Sequence, residues 1–227
     1  MITRAQEGWT IGRGLIIAAV LAVMVLAPFR AVATNDKPIH LVAFGDSLTA
    51  GFGLAPSFAF PNQLATALKD KYGALRVTNA GVSGDTTSGG LARFDWAIPA
   101  DADAVILELG ANDALRGVSP QIARKNLAAI LDKLMQRKIP VLVAGMRAPA
   151  NWGAEYEIEF NRIFADLAKT YDALLYPFFL EGVILRPELK LPDALHPNAE
   201  GVKEIVRRIL PSVEKLLARV IQIRKGR

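Results

Sequence analysis

Leu41-Val42-Ala43-Phe44-Gly45-Asp46-Ser47-Leu48-Thr49-Ala50-Gly51 is the stretch from which the rest of the chain can be read. Four consecutive apolar residues predict a buried strand, and Gly45-Asp46-Ser47 predicts a sharp turn into a helix. A serine so placed stands at the carboxyl end of a strand, where open parallel α/β sheets hold their ligands. A turn serine can equally do no more than cap the next helix. Its meaning therefore depends on what the other strand ends bring to it.

Outward from this stretch, apolar runs predict further strands at 75–80, 104–109, 140–144 and 173–176, after a first one at 39–44. Helical periodicity falls between them, over 58–72, through Leu91 and Phe94, from Ser119-Pro120 onward, and over 155–171. Asn198 is expected to cap a last helix, with Pro211 kinking or restarting it. The strands lack polar alternation, which argues for a parallel sheet covered on both faces. Right-handed crossovers then lead to a three-layer α/β sandwich with a central five-stranded parallel sheet and flavodoxin-like topology.

The chain has 227 residues, 52% of them hydrophobic and 22% charged, which suits one globular domain. Residues 1–33 read differently from the rest: Arg4 and Arg13 precede an apolar run over 15–27, and Ala31-Val32-Ala33 follows. That order of basic, apolar and small residues predicts a secretory signal peptide cut after Ala33, leaving 34–227 as the mature domain in the periplasm or secreted. The leader holds three arginines and one glutamate, so its removal lowers the formal charge from +5 to +3. No basic stripe crosses the body, so nucleic acid is not an expected partner, and no obligate protein partner is implied. The absence of cysteine excludes disulfides, thiolate nucleophiles and cysteine metal sites.

Only two histidines could serve Ser47 as a base, His40 and His196. His40 lies seven residues before Ser47 in the same predicted strand, which at 3.3 Å per residue places it roughly 20 Å away. His196 follows Asp193 by three positions, close enough for the carboxylate to fold back on the imidazole, fix its tautomer and stabilise an imidazolium. Two further strand ends offer donors for negative charge: the backbone N–H of Gly84 and the side-chain amide of Asn112. Ser47 has Gly45 two before it but Thr49 two after it, so the G-x-S-x-G elbow of the α/β-hydrolases is absent.

Gly45-Asp46-Ser47-Leu48, Gly84, Asn112 and Asp193-Ala194-Leu195-His196 together resemble the four blocks of the SGNH, or GDSL, hydrolase family, and within it the exported thioesterase, lysophospholipase and arylesterase group. The resemblance implies Ser47 as nucleophile, and His196 with Asp193 as base and orienter. It also implies an oxyanion hole from the Ser47 and Gly84 N–H groups and the Asn112 amide, and hydrolysis of acyl or aryl esters and thioesters. Ala111 departs from the pattern, standing where the group often has a second glycine.

Phe52, Leu54, Phe58, Leu115, Ala148, Pro149 and Trp152 follow the same strand ends and are expected near the mouth of the site. They favour an acyl or aryl group over the alternative reading with the same site, a carbohydrate O-acetylesterase. A nucleotide-binding domain would need a Walker lysine or a G-x-G-x-x-G after a strand, and neither is present. Two separated histidines form no metal-ligand cluster, so neither metal nor cofactor is expected.

Overall fold

The computed structural model describes residues 37–226 except residue 74. The expected leader over 1–33 and the cut before Thr34 lie outside the described residues. Parallel strands β1 (Ile39–Gly45), β2 (Leu75–Gly81), β3 (Ala104–Glu108), β4 (Val141–Ala144) and β5 (Leu174–Tyr176) form a five-stranded sheet in the order β2-β1-β3-β4-β5. Helices α1 (Ser47–Ala50), α2 (Phe60–Tyr72), α3 (Thr87–Ala97), α4 (Ala111–Leu115), α5 (Pro120–Gln136) and α6 (Ala154–Thr170) run between them, and α7 (Ala199–Lys225) follows β5. Contacts of α2 with α7, and of α3 with α5 and α5 with α6, divide the helices into two groups around the sheet. This is the expected three-layer sandwich.

Leu41, Val42, Ala43 and Phe44 are wholly buried, as a strand in the middle of a sheet covered on both faces must be. On α7, Val202, Ile205, Val206, Ile209, Val213, Leu216, Leu217 and Val220 form the buried stripe of an amphipathic helix. The register sets Gly45 level with Gly81 on one side and with Glu108 on the other. The chain leaves β1 toward one edge and returns to β3 on its other side, so the loops after β1, β2 and β3 meet at the crevice where strand order reverses.

Two expectations need correction. The helix predicted over 58–72 begins at Phe60, preceded by a separate 3-10 turn at Pro56–Phe58, because Pro61 fits the first turn of α2. Ser119 and Pro120 take the N-cap and first helical positions of α5, as their pairing suggests, with the Ser119 hydroxyl on the Gln121 side chain. Pro211 does not restart the last helix. One helix runs through it, since the buried stripe stays in phase from Ile209 to Val213 and the proline itself faces solvent.

Candidate active site

The turn after β1 is built to present Ser47. Asp46 caps α1 by accepting the Leu48 N–H at 3.0 Å, and Gly51 closes the helix in the left-handed region at φ 83°, its N–H on the Ser47 carbonyl. Four residues of helix hold Ser47 at the strand end, buried except for a small opening.

The partner comes from the loop before α7. Lys190 bridges Pro197 in antiparallel fashion, and the Leu191 N–H bonds the His196 carbonyl at 2.8 Å. Inside this loop Ala194 adopts φ 59°, a left-handed conformation that costs an alanine about 1 kcal/mol or more and turns Asp193 back on the imidazole. Asp193 Oδ2 lies 2.7 Å from His196 Nδ1, and its Oδ1 accepts the N–H groups of Leu195 at 2.9 Å and His196 at 3.0 Å. The His196 N–H, the imidazole and the Leu195 N–H hold the Asp193 carboxyl down at about 2. His196 Nε2 is 2.9 Å from Ser47 Oγ, and the Phe52 ring lies tilted against the imidazole at 4.5 Å between centroids. His40 sits at the opposite end of β1, buried between Thr78, Arg76 and Asp101.

Gly84 turns the loop after β2 at φ 80°, and Arg116 donates to its carbonyl at 3.0 Å. Asn112, in α4 just past β3, places Nδ2 2.9 Å from the Asp85 carbonyl and 3.2 Å from Asp46 Oδ2. One amide thus links the glycine loop to the serine turn.

Several buried polar residues complete this junction without having been singled out from the sequence. Arg93 donates to the carbonyls of Gly45 and Ala80, both at 2.8 Å, and to Asp85 Oδ2 at 2.6 Å, with its guanidinium over the Phe44 ring. Asp113 accepts the Thr87 N–H and hydroxyl, which ties α4 to the start of α3. Glu108 accepts the Thr49 hydroxyl at 2.6 Å and the Asp46 N–H at 3.3 Å. Burial pushes Asp46 up to about 7, and burial together with the Asp46 charge pushes Glu108 well above the usual carboxylate range. The available signal for Glu108 was an acid ending an otherwise apolar strand. For Arg93 it was an arginine between Leu91 and Phe94, the residues read as the apolar part of α3.

The residues expected at the mouth are spread unevenly. Phe52, Phe58, Leu115 and Trp152 are each about half exposed, and Trp152 also donates to the Ala114 carbonyl at 2.7 Å. Leu54 and Pro149 are half-buried. Ala148 is a correction: it is packed into the core, with its N–H on Asn161 Oδ1 at 2.8 Å, so its methyl is not presented to solvent. Among the described residues no group of three or more His, Cys, Asp or Glu is arranged to hold a metal ion.

Residues 43–203 match the GDSL-like Lipase/Acylhydrolase family. The chain is 34% identical over 206 residues to "Esterase TesA" of Pseudomonas aeruginosa, which spans 90% of this chain and all of that protein. It is 38% identical over 180 residues to "Thioesterase 1/protease 1/lysophospholipase L1" of Escherichia coli, covering 78% of this chain and 83% of that one. Among solved structures, AlinE4, described as an SGNH-hydrolase family esterase, is similar at 49% identity and a TM-score of 0.67, over 80% of this chain and 98% of its own.

Proposed function

The chain belongs to the GDSL-like lipase/acylhydrolase family, and on that premise we propose that it hydrolyses acyl or aryl esters and thioesters through an acyl-enzyme on Ser47. The observation that carries this reading is the continuous contact from Asp193 Oδ2 to His196 Nδ1 at 2.7 Å and from His196 Nε2 to Ser47 Oγ at 2.9 Å. In the first half-reaction Ser47 Oγ forms a bond to the carbonyl carbon while its proton passes to His196 Nε2. The tetrahedral oxyanion is met by the Ser47 and Gly84 N–H groups and by the Asn112 amide, which exchanges its longer contact, 3.2 Å to Asp46, for the substrate oxygen. Collapse breaks the bond to the leaving oxygen or sulfur, which takes the proton from His196. Water then repeats the sequence, with His196 as base, and releases the acid.

The preference for acyl or aryl groups is supported by Phe52 against the imidazole and by the exposed faces of Leu115 and Trp152. A carbohydrate O-acetylesterase would need hydrogen-bonding side chains there to replace the water lost from sugar hydroxyls. Along a p-nitrophenyl series from acetate upward, kcat/KM is expected to rise about fourfold per CH₂ until the cleft is full, since each buried methylene contributes about 0.8 kcal/mol. Fast acetate release from acetylated xylan, with p-nitrophenyl esters declining beyond acetate, would overturn the preference. The basic, apolar and A-x-A segments of 1–33 support export with cleavage after Ala33, and an exported form whose sequence begins at Thr34 is the expected product.

A further inference from the structure

Glu108 is fully buried at the carboxyl end of β3, directly beside the end of β1. Its Oε2 holds two groups of the serine turn, the Thr49 hydroxyl and the Asp46 N–H, on either side of Ser47. Its Oε1 is buried with no hydrogen-bond partner among the described residues. A Cβ on Gly45 would collide with Thr49 Oγ1 and with both the carboxyl and carbonyl oxygens of Glu108, so the strand end closes tightly on this side chain. A carboxylate left with an unpartnered buried oxygen is costly, whereas a neutral acid carrying its proton there is far less so.

We propose that Glu108 is a positioning residue for ester hydrolysis, acting as a neutral acid through Thr49 and the Asp46 N–H to fix the turn that aims Ser47 Oγ at His196. This rests on the reading of Ser47 as nucleophile. Glu108 touches no reacting atom itself. The charged groups that face the junction are Asp46 at the turn, Asp85 in the loop after β2, Arg93 on α3 and Asp113 on α4. Arg93 is already committed to Asp85 and to the Gly45 and Ala80 carbonyls, so among the described residues no free cation is available to neutralise an ionised Glu108. Asp46, raised to about 7 by burial, accepts the Leu48 N–H and the Asn112 amide. Burial, and any charge on Asp46, both oppose loss of the Glu108 proton. An ionised Glu108 would set two carboxylates against each other behind Ser47 and loosen the turn.

The experiment compares Glu108→Gln, Glu108→Leu and Thr49→Val with the parent enzyme, using p-nitrophenyl butyrate turnover across pH 6–10 and the rate of Ser47 labelling by a fluorophosphonate, with Ser47→Ala as control. Glu108→Gln, which keeps an uncharged acceptor, should retain kcat to within about threefold at pH 7 and should lack the alkaline fall of the parent. Glu108→Leu should lose about 10- to 100-fold in kcat and in labelling rate at unchanged KM, the size expected for a misaimed nucleophile. Should Glu108→Leu not fold, Thr49→Val carries the same test through the other end of the contact, with a loss of about tenfold expected on the same ground. Parent-like kcat in folded Glu108→Leu or in Thr49→Val, or a Glu108→Gln protein as slow as Glu108→Leu at pH 7, would overturn the proposal. Those results leave the role of Ser47 intact. Hydrolysis that survives Ser47→Ala would overturn both.

Discussion

Ser47 and His196 stand 149 positions apart in the chain and 2.9 Å apart at Oγ and Nε2. That contact has chemical meaning because Asp193 is ionised when it acts. Its carboxyl is held down at about 2 by two N–H groups and the imidazole, so its orienting effect is present above the ordinary 3.8 and is lost only as the pH falls through about 2. Protonation of Asp193 is therefore not expected to limit kcat/KM above about pH 4, and a fall there that disappears in Asp193→Asn would show that the carboxyl is not held down. Asp193→Ala should cut kcat by about a thousandfold or more, read by steady-state kinetics, because the tautomer and ring orientation go with it. Asn112→Ala should lower kcat by about a hundred- to a thousandfold at nearly constant KM, since the donor is needed mainly in the transition state. An equal loss in binding a ground-state analogue would instead make Asn112 a recognition residue.

Elements matter here as carriers of these side chains, and α7 shows what an element tolerates. Pro211 removes one backbone hydrogen bond from a helix whose apolar stripe is unbroken and whose proline is exposed. Pro211→Ala should therefore stabilise the protein by about 1–3 kcal/mol, measured by denaturant unfolding, without altering kcat. A loss of stability would mean that the proline relieves a distortion of the helix. The same helix shows why a restart at Pro211 does not occur: a proline is a local signal for a break, and eight buried positions in phase on both sides outweigh it. The strands, their parallel order and the Asp193–His196 loop were legible because each is set by short-range pattern, an apolar run or a three-residue spacing. Glu108, Arg93 and Asp113 were not, since their importance arises only when β1, β3, α3 and α4 converge. Ala148 failed for the related reason that position after a strand end does not decide which way a small side chain packs.

The whole molecule balances two kinds of acid. Asp101 and Glu204, paired at the surface with Arg76 and with Arg207 and Arg208, are held at about 2, so their contribution is present above their ordinary range and disappears as the pH falls through about 2. Asp46 has the opposite sign. The fold raises it from 3.8 to about 7, so its stabilising contribution is full below its unfolded value and is lost as the pH rises through about 7. Thermal unfolding should accordingly show Tm falling between about pH 4 and pH 7, with Asp46→Asn reducing that slope; an unchanged slope would remove Asp46 as a source of it. The stability of the sheet and the proposed activity of its edge thus meet at the turn after β1, and the proposed hydrolysis depends first on Ser47 as nucleophile. Its most direct test is mass spectrometry of the protein after reaction with a fluorophosphonate. One adduct is expected, on the peptide that contains Ser47, and none in Ser47→Ala; an adduct that persists in Ser47→Ala, or that sits on another residue of the parent enzyme, would rule out Ser47 as the nucleophile.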